Sequence, residues 1–294
     1  MDLPDCVQLT HPVPDYPVYV IKHPKAKARV ALHGAHLLEW TPARQKPVIY
    51  LSPQAVFEEG KPIRGGVPVC WPWFGPSLED AQLPMHGFVR NRFWKLDSVE
   101  QDKTGVSLRF KLKDSAKTRK LWPHAFELTL EMFIGATLRL ALTMKNTGDD
   151  TLFITDALHT YLCVGDVTQV SVSGLERMEY LDRVGAPVVR QQRGKVTFSQ
   201  EVDRDYAARG SVVLSDGSLG RQLKIRGEGS RSTVVWNPWI EKSKRLADLP
   251  DEAYQSFVCI ETANAWRDEQ LLAPGAVHSL AFTLECTALD AADG

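Results

Sequence analysis

FELTLEMFI (126–134) and TLRLALTMKN (137–146) decide the class of fold. In both, apolar and polar residues alternate with a period of two, the spacing at which a strand lays one face on a core and turns the other to water. Outward from this pair, the same alternation or β-rich apolar clustering recurs. It is found in YPVYVIKH (16–23), KARVALHGAHLLEW (27–40), VSLRFKLK (106–113), TQVSVSG (168–174), GSVVLS (210–215), STVVWN (232–237), SFVCIET (256–262) and SLAFTLECT (279–287). Turn signals such as KNTGDD, GDVT, LSDGS and RGEGS separate the runs. Helical periodicity is confined to short stretches, KDSAKTRKLW (113–122) and a turn around DEAYQS (251–256). These features predict an all-β fold, a large antiparallel β-sandwich with few short helices. With no fixed-period repeat and no low-complexity linker, residues 1–294 read as one domain.

Composition narrows the function. With 44% hydrophobic residues the chain can bury a sizeable core, and a formal net charge of −1 argues against nucleic acid as a partner. A small phosphorylated ligand needs only two or three placed cations and stays compatible. The N-terminal stretch has no basic region followed by an apolar run, so no signal peptide is expected, and no window suits a membrane span. The five cysteines are scattered and form no C-x-x-C pair, which predicts neither a disulfide framework nor a zinc site and fits a reducing cytoplasm.

Three segments break the strand pattern: PIRGGVPVCWPWFGP (62–76), PMHGFVRNRFW (84–94) and the long connection from WNPWIEKSK to ETANAW (236–266). Loops rich in aromatics, glycine and charge, carried on a rigid sheet, are where ligand sites tend to lie. Each candidate residue in or near them has two readings. His159, in DALHTYLCVGD, is either a satisfied core histidine or, with Tyr161 on the same strand face, part of a cleft. Glu261 follows the apolar run 257–260 and shares a face with Cys259 and Phe257. It is either a strand-end carboxylate reaching solvent or one held in a restricted apolar site, where a raised pKa would suit acid–base work.

Arg64 and Arg90 are either solvated charges or oxyanion ligands, and Gly65-Gly66 would let backbone approach a ligand closely. His86 shares the second loop with Arg90. His33 and His36 have H-x-x-H spacing without further ligands nearby, so no metal is expected. Cys163 reads as an inert thiol. Asp203 and Asp205, flanking Arg204, could form a turn of self-compensating charges.

Taken in order, RGGVPVCWPWFG, HGFVRN, LHTY and FVCIETA resemble the glucose-6-phosphate 1-epimerase (hexose-6-phosphate mutarotase) family of the aldose 1-epimerase-like superfamily, over nearly the whole chain from Gly34. The resemblance implies a galactose mutarotase-like supersandwich whose concave face binds a sugar phosphate, working without cofactor. It makes His159 the general acid at the ring oxygen and Glu261 the general base at the anomeric hydroxyl. It also makes Arg64 and Arg90 substrate ligands, Asp203 a ligand of a sugar hydroxyl, and His86 a histidine presented to the sugar. Arg92 and the basic cluster Lys242, Lys244 and Arg245 are further candidates to meet the phosphate. Met85 stands where many relatives carry glutamine or a small residue. The expectation is therefore a cytoplasmic, monomeric mutarotase for hexose 6-phosphates that binds neither nucleic acid nor membrane. A mutarotase for free aldoses and a non-catalytic carbohydrate-binding sandwich are the alternatives.

Overall fold

FELTLEMFI and TLRLALTMKN form the antiparallel strands Phe126–Gly135 and Leu138–Asn146. They lie within a nine-stranded sheet, in a computed structural model that describes residues 2–289. Leu128, Leu130, Met132 and Ile134 are buried and pair across the strands with Met144, Leu142, Leu140 and Leu138. The polar positions between them turn outward, where Glu131 pairs with Arg109. Burial of this apolar face contributes about 1.5–3 kcal/mol for each large side chain.

A second, eight-stranded sheet carries the site. Its strands run Val188–Gln191, Glu179–Asp182, Val202–Tyr206, Ser232–Asn237, Phe257–Asn264, Asp156–Leu158 and Val69–Cys70 in spatial order, with Tyr161–Cys163 also paired to the Phe257 strand. Every pairing in it is antiparallel. Leu158, Leu162, Val235, Val258 and Ile260 join the main core, while Tyr161, Trp236, Phe257 and Cys259 belong to a separate cluster on the opposite face. The central strand, Phe257–Asn264, is thus buried on both faces, which is why FVCI reads as a continuous apolar run. A four-stranded N-terminal sheet (Val7–Thr10, Val18–His23, Ala26–Ala31, His36–Pro42) completes the main framework. The expected helices are short: Ala116–Arg119, closed by a Ser115–Thr118 capping box, and a 3₁₀ turn at Ala253–Ser256. Trp239–Ser243 adds a further helical turn in the 236–266 connection. Among the described residues no helix is long and apolar enough to cross a membrane.

Asp156, on the strand leading to His159, is fully buried with neither carboxylate oxygen paired to a side chain. Desolvation pushes its carboxyl up to about 8. The native state therefore keeps a proton that the unfolded chain releases near pH 4, and stability is lost as pH rises from about 4 to about 8. Asp156→Asn removes that ionisation. Its stability relative to the parent is expected to grow across this window, by on the order of 1–3 kcal/mol at the upper end. Denaturant unfolding of both proteins at a series of pH values checks this; a gap independent of pH would contradict it.

Candidate active site

Strand register builds the floor of a cavity of about 350 Å³. Asp203, Trp236, Cys259 and Tyr161 pair across four strands to make one row. Asp205, Val234 and Glu261 make the next, and of these two rows Asp203, Trp236, Tyr161, Val234 and Glu261 line the cavity. His159 lies in the break between Asp156–Leu158 and Tyr161–Cys163, where its N–H donates to the carbonyl of Pro68 at 3.0 Å. Its ring stacks on Tyr161 at 4.9 Å and 13°, so the two do share a face. Its Nε2 stands 3.4 Å from Oε1 of Glu261. Glu261 is not a strand-end residue in solvent: it is in mid-strand and 1% exposed. All six sequence-predicted residues, Arg64, His86, Arg90, His159, Asp203 and Glu261, line this one cavity.

Burial sets the electrostatics. Desolvation, then repulsion from Asp205 and Asp203, pushes the Glu261 carboxyl well up, while Arg90 pulls it down. Desolvation also pushes His159 well down, helped by His86, Arg90 and Arg64. Both groups are therefore driven toward their neutral forms, with the proton on Glu261. His159 Nδ1 and Glu261 Oε2 are buried without a partner. Such orphaned atoms cost stability, and sites that act on a ligand commonly carry them.

The loops place the remaining groups. His86 has a positive φ of 61°, and its Nδ1 accepts from the Gly75 N–H at 3.1 Å. Burial and the nearby arginines lower its pKa to about 3, so the neutral ring carries its proton on Nε2 and can only donate from there. Gly87, at φ 71°, is required here: a Cβ would run into the Trp71 carbonyl oxygen. Gly87→Ala should destabilise the protein by on the order of 3 kcal/mol, read from the shift in denaturant midpoint, because the clash is with backbone. The His33–His36 pair serves the neighbouring loop. His36 Nε2 lies 2.8 Å from the Gly65 carbonyl, and His33 Nε2 accepts from the Gly60 N–H at 3.2 Å. Burial holds His36 neutral, at about 3. Among the described residues no cluster of metal-ligating side chains is found.

The cations differ in their commitments. Arg64 donates through Nε to Asp248 at 3.0 Å and through Nη1 to the Tyr161 hydroxyl at 3.1 Å. Arg90 donates through Nη2 to the Met85 carbonyl, its Nε is buried unpaired, and it has no carboxylate partner among the described residues. Two further cations line the cavity: Arg183, held by the fully buried Asp205, and Lys242, bonded to Glu201 at 2.8 Å and Asp203 at 3.2 Å. The other candidates, Arg92, Lys244 and Arg245, do not line it. Sequence reasoning missed Arg183. Nothing local marks it, since it follows a strand in a turn and its partner is 22 residues away. The segment around Asp203 is a strand and not a turn, and alternation sends both aspartates to one face and Arg204 to the other.

An aldose 1-epimerase family model matches residues 17–285. The chain belongs to the aldose 1-epimerase family. A member from Escherichia coli (strain K12) that carries the provisional name glucose-6-phosphate 1-epimerase is 41% identical over 261 residues, 88% of this chain and 87% of that protein. The crystal structure of a provisionally assigned mutarotase from Salmonella typhimurium superposes with a TM-score of 0.92 at 36% identity, covering 98% of this chain and 95% of that one. A galactose mutarotase related enzyme from Lactobacillus acidophilus, 16% identical with a TM-score of 0.72, covers 93% of this chain and 98% of its own and shares the fold. The antiparallel β-sandwich expected from the strand pattern is thus the galactose mutarotase-like fold that the resemblance implied.

Proposed function

We propose that the protein interconverts the α and β anomers of a hexose 6-phosphate, glucose 6-phosphate above all, by acid–base opening and reclosure of the pyranose ring. It acts as a single-domain cytoplasmic monomer. The observation that supports the phosphorylated substrate most directly is Arg90: a cation with no carboxylate partner among the described residues, on the wall of the cavity that holds His159 and Glu261. A neutral sugar would leave that charge without a counterion, whereas a phosphate supplies one.

Ring opening requires one proton to reach the ring oxygen while another leaves the anomeric hydroxyl. The His159–Glu261 pair holds the single proton this exchange needs. Moving it across 3.4 Å from Glu261 to His159 gives a carboxylate that accepts from the anomeric hydroxyl and an imidazolium that donates to the ring oxygen. The negative charge of bound phosphate favours this arrangement by stabilising the imidazolium. Rotation about C1–C2 and reversal of the two transfers give the other anomer. His86, donating from Nε2, and Asp203, held by Lys242, are suited to bind sugar hydroxyls. Arg64, fixed by Asp248 and Tyr161, orients the substrate.

A pure binding module would gain nothing from a buried histidine–carboxyl pair with unpaired atoms, which favours the catalytic reading. The direct test is magnetisation exchange between the two anomeric protons of glucose 6-phosphate, with and without protein, and the same for free glucose. Catalysed exchange of the phosphate ester at low substrate, with much slower exchange of glucose, is expected. Equal rates for the two sugars would overturn the phosphate assignment.

A further inference from the structure

The strand Val202–Tyr206 separates two cavities. Asp203 and Asp205 project toward the sugar cavity, whereas Arg204 and Tyr206 project to the other face. There a second cavity of about 510 Å³ is lined by Arg190, Arg193, Lys195 and Arg204, with Tyr180 and Gln200 among its other walls. No Asp or Glu lines it among the described residues, and it shares no residue with the sugar cavity.

Arg204 and the backbone of the neighbouring loop are held in place, while the Arg190, Arg193 and Lys195 side chains are exposed at the mouth. The buried Gln192 side chain donates to the carbonyls of Arg193 and Gly194, both at 3.2 Å, and wraps the 192–195 loop around itself. Its Oε1 accepts from the Tyr206 hydroxyl at 2.7 Å and from Arg204 Nη1 at 3.3 Å. Arg204 also lies over the Tyr180 ring, 4.9 Å from its centre, and its Nε is buried without a partner. Arg193 and Arg204 have no carboxylate partner among the described residues; Arg190 shares its charge with Asp182 at 3.5 Å. The guanidinium groups of Arg190, Arg193 and Arg204 repel one another across the cleft, and a multivalent anion that bridges them removes the repulsion and satisfies their free donors.

We propose that this cleft is a second anion site, for a phosphate or diphosphate group, separate from the sugar cavity. It does not depend on the function proposed above. Several guanidinium groups lining one cleft suit the tetrahedral, multiply charged phosphoryl oxygens better than a single carboxylate.

The test is titration calorimetry with inorganic pyrophosphate at low salt. One equivalent is expected to bind to the parent in a manner that survives Arg90→Ala, and to weaken at least about tenfold in Arg193→Glu, an exposed change that leaves folding intact. Arg204→Gln should do the same, with anomer exchange in Arg193→Glu unchanged. Adenosine diphosphate forms the second arm: equal affinity assigns the site to inorganic diphosphate, tighter binding to a phosphate ester, and either supports the site. Absence of binding, loss of it in Arg90→Ala, or an unchanged affinity in both Arg193→Glu and Arg204→Gln would overturn the proposal.

Discussion

Glu261→Gln is expected to lose anomer exchange by about 10²–10⁴-fold while still binding glucose 6-phosphate, and to gain stability at the same time. The two effects share one cause. The carboxyl is buried, its Oε2 has no partner, and desolvation raises its pKa well above the usual carboxylate value. The native state therefore holds a proton on Glu261 that the unfolded chain has released, so the residue's contribution falls as pH rises above about 4.5. A glutamine amide at this position cannot ionise, hence the variant's advantage in unfolding free energy should widen as pH increases from that value. Magnetisation exchange reads the first effect, ligand-dependent shift of the thermal midpoint shows retained binding, and unfolding curves at several pH values read the second. A variant that exchanged anomers at the parental rate would remove Glu261 from the mechanism. One that lost stability at every pH would contradict the origin assigned to its shift.

Arg90→Ala is expected to raise KM for glucose 6-phosphate about 100-fold and to change that for free glucose little. A charge-assisted pair formed with a buried donor is worth roughly 3 kcal/mol, which sets the size of the effect. The expectation is specific to Arg90. Arg64 is tied to Asp248 and Tyr161, so its removal disturbs the cavity wall and should weaken both substrates. Arg183 and Lys242 already have carboxylate partners. Arg90→Lys keeps the charge but loses the fork, and should fall between parent and alanine variant. Equal losses for both sugars in Arg90→Ala would show that the residue supports the fold of the loop and not the phosphate.

Much of this was legible in the chain. The period-two pattern carried by FELTLEMFI and TLRLALTMKN is a local property, since each strand's faces follow from its own sequence. The same rule placed His159 with Tyr161, and Glu261 with Cys259 and Phe257. It could not say that the face so defined lines a cavity, because the Phe257–Asn264 strand is buried on both sides and its polarity alone does not distinguish core from cleft. Nor could it resolve the segment around Asp203, where a turn and a strand suit the same charges.

What only the tertiary structure decided is partnership. Glu261 meets His159 because Phe257–Asn264 pairs with both short strands that flank His159, a register set across about 100 residues of chain. Arg64 is committed to Asp248, 184 residues away, while Arg90 finds no carboxylate among the described residues, and no local pattern separates the two arginines. Side-chain alternation is fixed by backbone geometry within a few residues. Which charge is neutralised, and which is left for a ligand, depends on long-range packing.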